Sequence, residues 1–175
     1  MKRNLSQWVI GLFILSWFHY LPAFVGFHYL EPHPQFEQDY TSGLGASLGI
    51  RFPLSGMLRG EISLGYVYFL PEQSDATHAD QRIHMLPAYG TLKLPLLGGD
   101  EVHLGIYGSG GVVFYWIDMP EQEGENIFQN IHQVGSYRYG AFLKLLKLEL
   151  SAGVKSLMDR EQNENTFWEI SLTLF

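Results

Sequence analysis

The chain has 175 residues and no cysteine. That excludes a disulfide scaffold, a zinc knuckle and a lipid-modified N-terminal cysteine. Charge is scarce as well. Asp, Glu, Lys and Arg together make 17% of the residues, against about 25% in an average globular chain. Only 11 residues are Lys or Arg against 18 acids, a formal charge of -7. A nucleic-acid binder would show a basic stripe, and none is present. A disordered chain would be poor in aromatics and rich in charge, the reverse of what is seen. No phosphate loop is present either. Gly105, Gly108, Gly110 and Gly111 cluster, but no Lys-Ser/Thr pair and no helix follows them. What is abundant is glycine, 19 residues, and aromatics, 15%. The size fits one domain.

Residues 1–23 read as a secretory signal peptide. Lys2 and Arg3 form the positive n-region, and Trp8 to Phe18 is an apolar run of 11 residues. Such a run suits an h-region and is short for a bilayer span. Leu21-Pro22-Ala23 offers a small residue at the cleavage point, although the A-x-A pattern is absent. Removal of Lys2 and Arg3 leaves a mature chain, residues 24–175, of charge -9.

From residue 24 onward no helix period appears, and strict alternation recurs, the strand signal. Eight strands are expected, around 24–30, 41–52, 58–70, 83–94, 100–116, 137–145, 148–155 and 166–174. The phase of the fourth, which contains Pro87, is set by Leu92 and Leu94 around Lys93. In each strand one face is apolar, such as Leu44, Ala46, Leu48 and Ile50. The other is small and polar, such as Gly43, Gly45, Ser47 and Gly49. Long connections (31–40, 71–81, 118–133, 156–165) alternate with short ones (53–57, 95–100, 146–147). That alternation puts every long loop at one end of an up-and-down barrel.

Alternation alone does not say which face is wet. A soluble barrel hides its apolar face, and a membrane barrel turns it outward. Three features favour the membrane. The polar face is crowded with Gly and Ser, which suit the narrow interior of an eight-stranded barrel. Its charges have both signs: Arg51, Arg59, Lys93, Arg138, Lys144 and Lys155 against Glu61, Glu149 and Glu169. Buried charges must pair, so these nine residues are expected to form a network that plugs the lumen. Finally, Tyr29, Tyr66, Tyr68, Phe114, Trp116, Tyr137, Tyr139 and Trp168 all fall on the apolar face beside long loops. They are expected to form one ring at one level, an interfacial girdle.

With these strands in place, the chain resembles the small outer-membrane β-barrels of Gram-negative-type bacteria, the OmpA/OmpX-like class. The resemblance covers residues 24–175. It is carried by the alternating strands, by Leu86-Pro87-Ala88-Tyr89-Gly90-Thr91-Leu92-Lys93-Leu94, by the glycine-rich Gly105 to Val112, and by the terminal Phe175. It implies an antiparallel, up-and-down transmembrane barrel in the bacterial outer membrane. It also implies contact with outer-membrane lipid and lipopolysaccharide, and a C-terminal aromatic read by the outer-membrane assembly machinery. Phe175 departs from the family pattern. It stands one step out of phase with Trp168, Ile170, Leu172 and Leu174.

Candidate chemistry is thin. No cofactor, metal or catalytic set is expected. Seven histidines are scattered, without an H-x-x-x-H pair. The ordinary reading is solvated loop histidines. The sharper one brings His28 and His33, flanking the first loop, near His78 or His84. A lipid A-modifying enzyme needs Ser, His and an acid in reach, and Ser136 does follow His132 by four residues. The loops are more distinctive. They hold 13 of the 18 acids, among them Glu121, Glu123 and Glu125, with Arg82 and Arg160 almost their only cations. Divalent-cation bridging to lipopolysaccharide phosphates, or docking of a basic partner, fits that excess. The expectation is a monomeric barrel with a filled lumen and a structural or surface-interaction role, its surface partner unnamed. A lipid A-modifying enzyme and a secreted lipocalin-like carrier are the alternatives.

Overall fold

The computed structural model describes residues 22–33, 40–71, 82–99, 101–118, 131–158 and 164–175. The signal peptide expected over residues 1–23 falls almost wholly outside them, as do most of the loop acids. Eight strands run in chain order: β1 Ala23–Pro32, β2 Tyr40–Ser55, β3 Leu58–Pro71, β4 Arg82–Gly98, β5 Val102–Asp118, β6 His132–Leu145, β7 Leu148–Met158 and β8 Glu164–Leu174. Each pairs antiparallel with its sequence neighbours, and β1 closes on β8. The eight strands and their phases are those that the alternation predicts. Some run longer than the alternation predicts: β2 and β4 continue through Pro53 and Pro95, and a register shift follows each proline. A proline has no N–H for the ladder, so the strand slips there without ending.

The short links are tight. β2 turns into β3 at Gly56, φ 54°, and β6 into β7 at Leu146, φ 56°. Gly98 takes φ 124° before the β4–β5 turn. A Cβ there would strike the carbonyl oxygen of Val102, so this corner needs glycine.

The register fixes the shape. Ala23 lies opposite Ile50, and the same line continues through Ile62, Gly90, Gly110, Tyr137, Ser156 and Thr166. It returns to β1 at His33, whose N–H donates to the Thr166 carbonyl. One circuit therefore climbs ten residues. With eight strands about 4.8 Å apart and a rise of about 3.3 Å per residue, that shear tilts the strands by about 40°.

The apolar face points outward. Leu44, Leu48, Ile62, Leu64, Leu92, Ile106, Leu150 and Ile170 are all exposed on the wall. Among the described residues, no Asp, Glu, Lys or Arg faces outward between the short turns and Tyr29. A water-facing wall does not look like this, and a lipid-facing wall must. The aromatics border the long-loop end as expected, but not as one ring. Tyr66 and Tyr68 are two residues apart on one strand, as are Phe114 and Trp116, and Tyr137 and Tyr139. The rise along each strand sets the members of a pair at different levels, so they form a tiered band. Among the described residues, polar atoms on the outer wall gather in this band: Tyr29 Oη donates to Glu31 and lies 2.8 Å from Ser42 Oγ. Replacing Ile170 by Arg, on the bare part of the wall, is expected to cost about 2–4 kcal/mol of stability in a bilayer. Chemical denaturation in lipid vesicles reads that loss; an unchanged midpoint would mean the wall does not face lipid.

The inward face is the small and polar one. Its glycines make room for the few large side chains inside. A Cβ on Gly43 would stand 2.6 Å from the Phe69 ring.

Candidate functional site

The interior is filled in three layers. Near the short turns lies an ionic floor. Arg51 on β2, Glu61 on β3, Lys93 on β4 and Glu149 on β7 all point inward and are buried. Arg51 and Glu61 are register partners. Glu149 reaches across the lumen from the opposite wall. Arg51 Nη2 lies 2.9 Å from Glu149 Oε2, and Lys93 Nζ 2.8 Å from Glu61 Oε2. Arg51 also pairs with Glu61, and Lys93 with Glu149. Two cations and two carboxylates thus alternate in a closed ring of ion pairs. The Phe175 ring covers it from the mouth, its centroid 3.8 Å from the Arg51 guanidinium carbon.

Above the floor is a hydroxyl-lined chamber. His28 on β1 bridges two strands: Nδ1 lies 2.8 Å from Glu169 Oε1 and Nε2 2.7 Å from Ser47 Oγ. Arg138 donates to Glu169 at 3.1 Å and to Thr91 at 3.5 Å. Its guanidinium carbon stands 3.9 Å from the Tyr89 ring centroid, and Lys155 Nζ lies 5.9 Å from the same centroid. Thr91 pairs with Ser109 at 2.9 Å and Ser151 with Ser171 at 2.6 Å. A cavity of about 30 Å³ remains between these groups. Arg138 Nε and Glu169 Oε2 have no protein partner, and both residues line it. The space suits one or two waters bridging them. Ser47, His28 and Glu169 have the connectivity of an acyl-transfer triad. A cavity this small takes water and not an acyl substrate.

The third layer, toward the long loops, is an apolar ceiling. Leu30, Val67, Phe69, Ile83, Met85, Val113, Val134, Leu157 and Phe167 are all buried inside the barrel. Phe69 and Phe167 pack at 5.5 Å between centroids with their rings tilted by 51°, and neither has any exposed surface. This corrects the expectation of a lumen closed by charges. The polar network fills the lower and middle lumen, and packed hydrocarbon closes the upper part.

The nine charges expected in one network sort into three groups. Arg51, Glu61, Lys93 and Glu149 make the floor. Arg138 and Glu169 pair in the chamber beside buried Lys155. Arg59 and Lys144 face the lumen at the short-turn mouth, outside the ring of ion pairs. Arg59 Nη2 lies 3.5 Å from His103 Nε2. His28 is the functional residue missed from sequence; it is not a loop histidine but the hinge of the chamber. Nor does it approach His84, which sits on the outer wall, stacked on Trp116 with ring centroids 5.0 Å apart. His78 lies outside the described residues. Among the described residues no group of His, Asp or Glu is arranged to hold a metal. Ser136 faces inward, hydrogen bonded to Tyr89 Oη at 2.6 Å and donating to the Ser156 carbonyl at 2.9 Å.

No family model matches the chain, and no curated protein does. Solved structures do. The N-terminal β-barrel domain of OprF from Pseudomonas aeruginosa aligns with a TM-score of 0.55 and 14% identity over 86% of this chain and 96% of that one. The outer membrane enzyme PagL aligns with a TM-score of 0.55 and 15% identity over 87% and 99%. Neisserial surface protein A aligns with a TM-score of 0.54 and 7% identity over 87% and 96%. The chain therefore has the fold of the small bacterial outer-membrane barrels.

Proposed function

We propose that the protein is a monomeric, sealed barrel that anchors acidic loops at the cell surface, with a structural or surface-interaction role. The observation that carries this reading is the three-layer filling of the lumen. A barrel closed by ion pairs, a small wet chamber and packed phenylalanines offers no continuous path, so work on a partner falls to the wall and the loops. The closed ring of eight paired strands leaves no free edge for a second copy, which supports a monomer. The acids concentrated in the connections favour a basic partner, or lipopolysaccharide phosphates bridged by divalent cations. Phe175 fits an assembly signal only before folding. In the finished barrel its ring is turned over Arg51 and away from lipid.

The test uses the protein in lipopolysaccharide-containing vesicles. Wild type is expected to gain thermal stability on addition of Mg²⁺. The triple substitution Glu121→Gln, Glu123→Gln, Glu125→Gln should lose most of that gain. Equal gains in both would remove the acidic loops from the reading. A lipid-modifying activity has the solved PagL fold in its favour, and the inward position of Ser136 against it. Mass spectrometry of lipid A from cells with and without the protein separates the two, since a changed acyl pattern requires an enzyme.

A further inference from the structure

The floor of the lumen carries more positive charge than it neutralises. Four cations face it, Arg51, Arg59, Lys93 and Lys144, against two carboxylates, Glu61 and Glu149. Both carboxylates are already engaged by Arg51 and Lys93. Arg59 and Lys144 are the surplus. Among the described residues no carboxylate lies within ion-pair distance of either. They are brought together by register. Lys144 on β6 is the cross-strand partner of His103 on β5, and Arg59 reaches from β3 to within 3.5 Å of His103 Nε2. Three nitrogen-bearing side chains from three strands thus converge at the short-turn mouth, all half-buried. Glu101 in the adjoining turn is exposed.

From this convergence we infer an anion-binding site at the periplasmic mouth, formed by Arg59, His103 and Lys144 and taking a phosphate-type oxyanion. Arg supplies a rigid fork of N–H donors, Lys a point charge and His a ring N–H. Donors arriving from three directions suit a tetrahedral anion better than a planar carboxylate. The two surplus cations, Lys144 with its Nζ 5.5 Å from the Phe175 ring centroid and Arg59 against His103, gain a counter-charge when the anion is bound. Access is axial. At this level the outer wall is still apolar, with Leu58 beside Arg59 and Val102 beside His103. A soluble phosphate entering from the periplasm can therefore reach the site, whereas a phospholipid headgroup outside the wall is kept from it.

The experiment follows the His103 imidazole resonances of the full barrel in micelles during titration with inorganic phosphate and, at matched ionic strength, with chloride. Phosphate should give saturable shifts and chloride none that saturate. Arg59→Gln and Lys144→Gln should each weaken phosphate binding by about tenfold or more, as loss of a charge-assisted contact requires. Lys147→Gln, in the neighbouring turn, should leave it unchanged. Heat-modified gel migration verifies that each variant is folded. Linear shifts identical in phosphate and chloride would overturn the site, as would full binding in both Gln variants. In nanodiscs, phosphatidylglycerol and phosphatidylcholine should give the same phosphate titration. Saturation by phosphatidylglycerol alone would overturn axial entry and make the ligand a lipid headgroup.

Discussion

Replacing Glu149 by Gln is expected to lower the stability of the barrel by roughly 3–5 kcal/mol, because it leaves buried charge uncompensated. Glu149 is 1% exposed and accepts from both Arg51 and Lys93. Glutamine keeps the volume and removes the charge. Two cations are then left facing Glu61 alone. The measurement is equilibrium unfolding by denaturant in micelles, with the midpoint and slope compared between variants. The partner substitution makes the result specific. Lys93→Gln added to Glu149→Gln restores one cation to one anion, so the double variant should recover a large part of the loss. A loss below about 1 kcal/mol for Glu149→Gln, or simple additivity in the double variant, would mean that the floor is not a coupled ring.

The second large effect lies at the other end of the lumen. Phe69→Ala is expected to cost about 3–5 kcal/mol, the range for truncating a fully buried phenylalanine. Phe69 has no exposed surface and packs against Phe167. Its effect on permeation separates it from the floor. With both Phe69 and Phe167 changed to Ala, the chamber should join the water above the ceiling, and small conductance steps should appear in planar bilayers once Glu149→Gln is added to loosen the floor. Glu149→Gln alone leaves the ceiling intact and should stay silent. If instead the floor variant conducts and the ceiling variant does not, the ions are held back by the ion pairs and the hydrocarbon is a passive filler.

Much of this was legible in the residues. Lipid on one side and a narrow lumen on the other impose a period of two on every strand, so phases could be read from single sequences such as Thr41 to Phe52. The inward charges followed from the same phase. The ceiling did not follow, because it breaks the pattern. Near the long loops both faces turn apolar, as in Tyr66-Val67-Tyr68-Phe69 and Val112-Val113-Phe114-Tyr115-Trp116. The outward members are the girdle and the inward ones are the plug. A continuous apolar run is the mark of a strand buried on both faces, so a signal was present, although alternation alone hides it. The grouping of the nine charges was out of reach. Which carboxylate meets which cation depends on a shear of ten residues and on reach across the lumen, and neither is written in local sequence. His28 was hidden for the same reason, since its partner Glu169 comes from the far end of the chain.

That separation governs how the molecule comes together. Seven of the eight seams join strands adjacent in sequence and can form as hairpins. The eighth joins β1 to β8, with His28 and Glu169 standing 141 residues apart. Loop-closure entropy is paid most heavily there and last. The hydrogen bond between His28 and Glu169 therefore acts as the clasp of the barrel. Removing it should slow closure more than it weakens any hairpin, and an unclasped chain would present two bare strand edges to its neighbours.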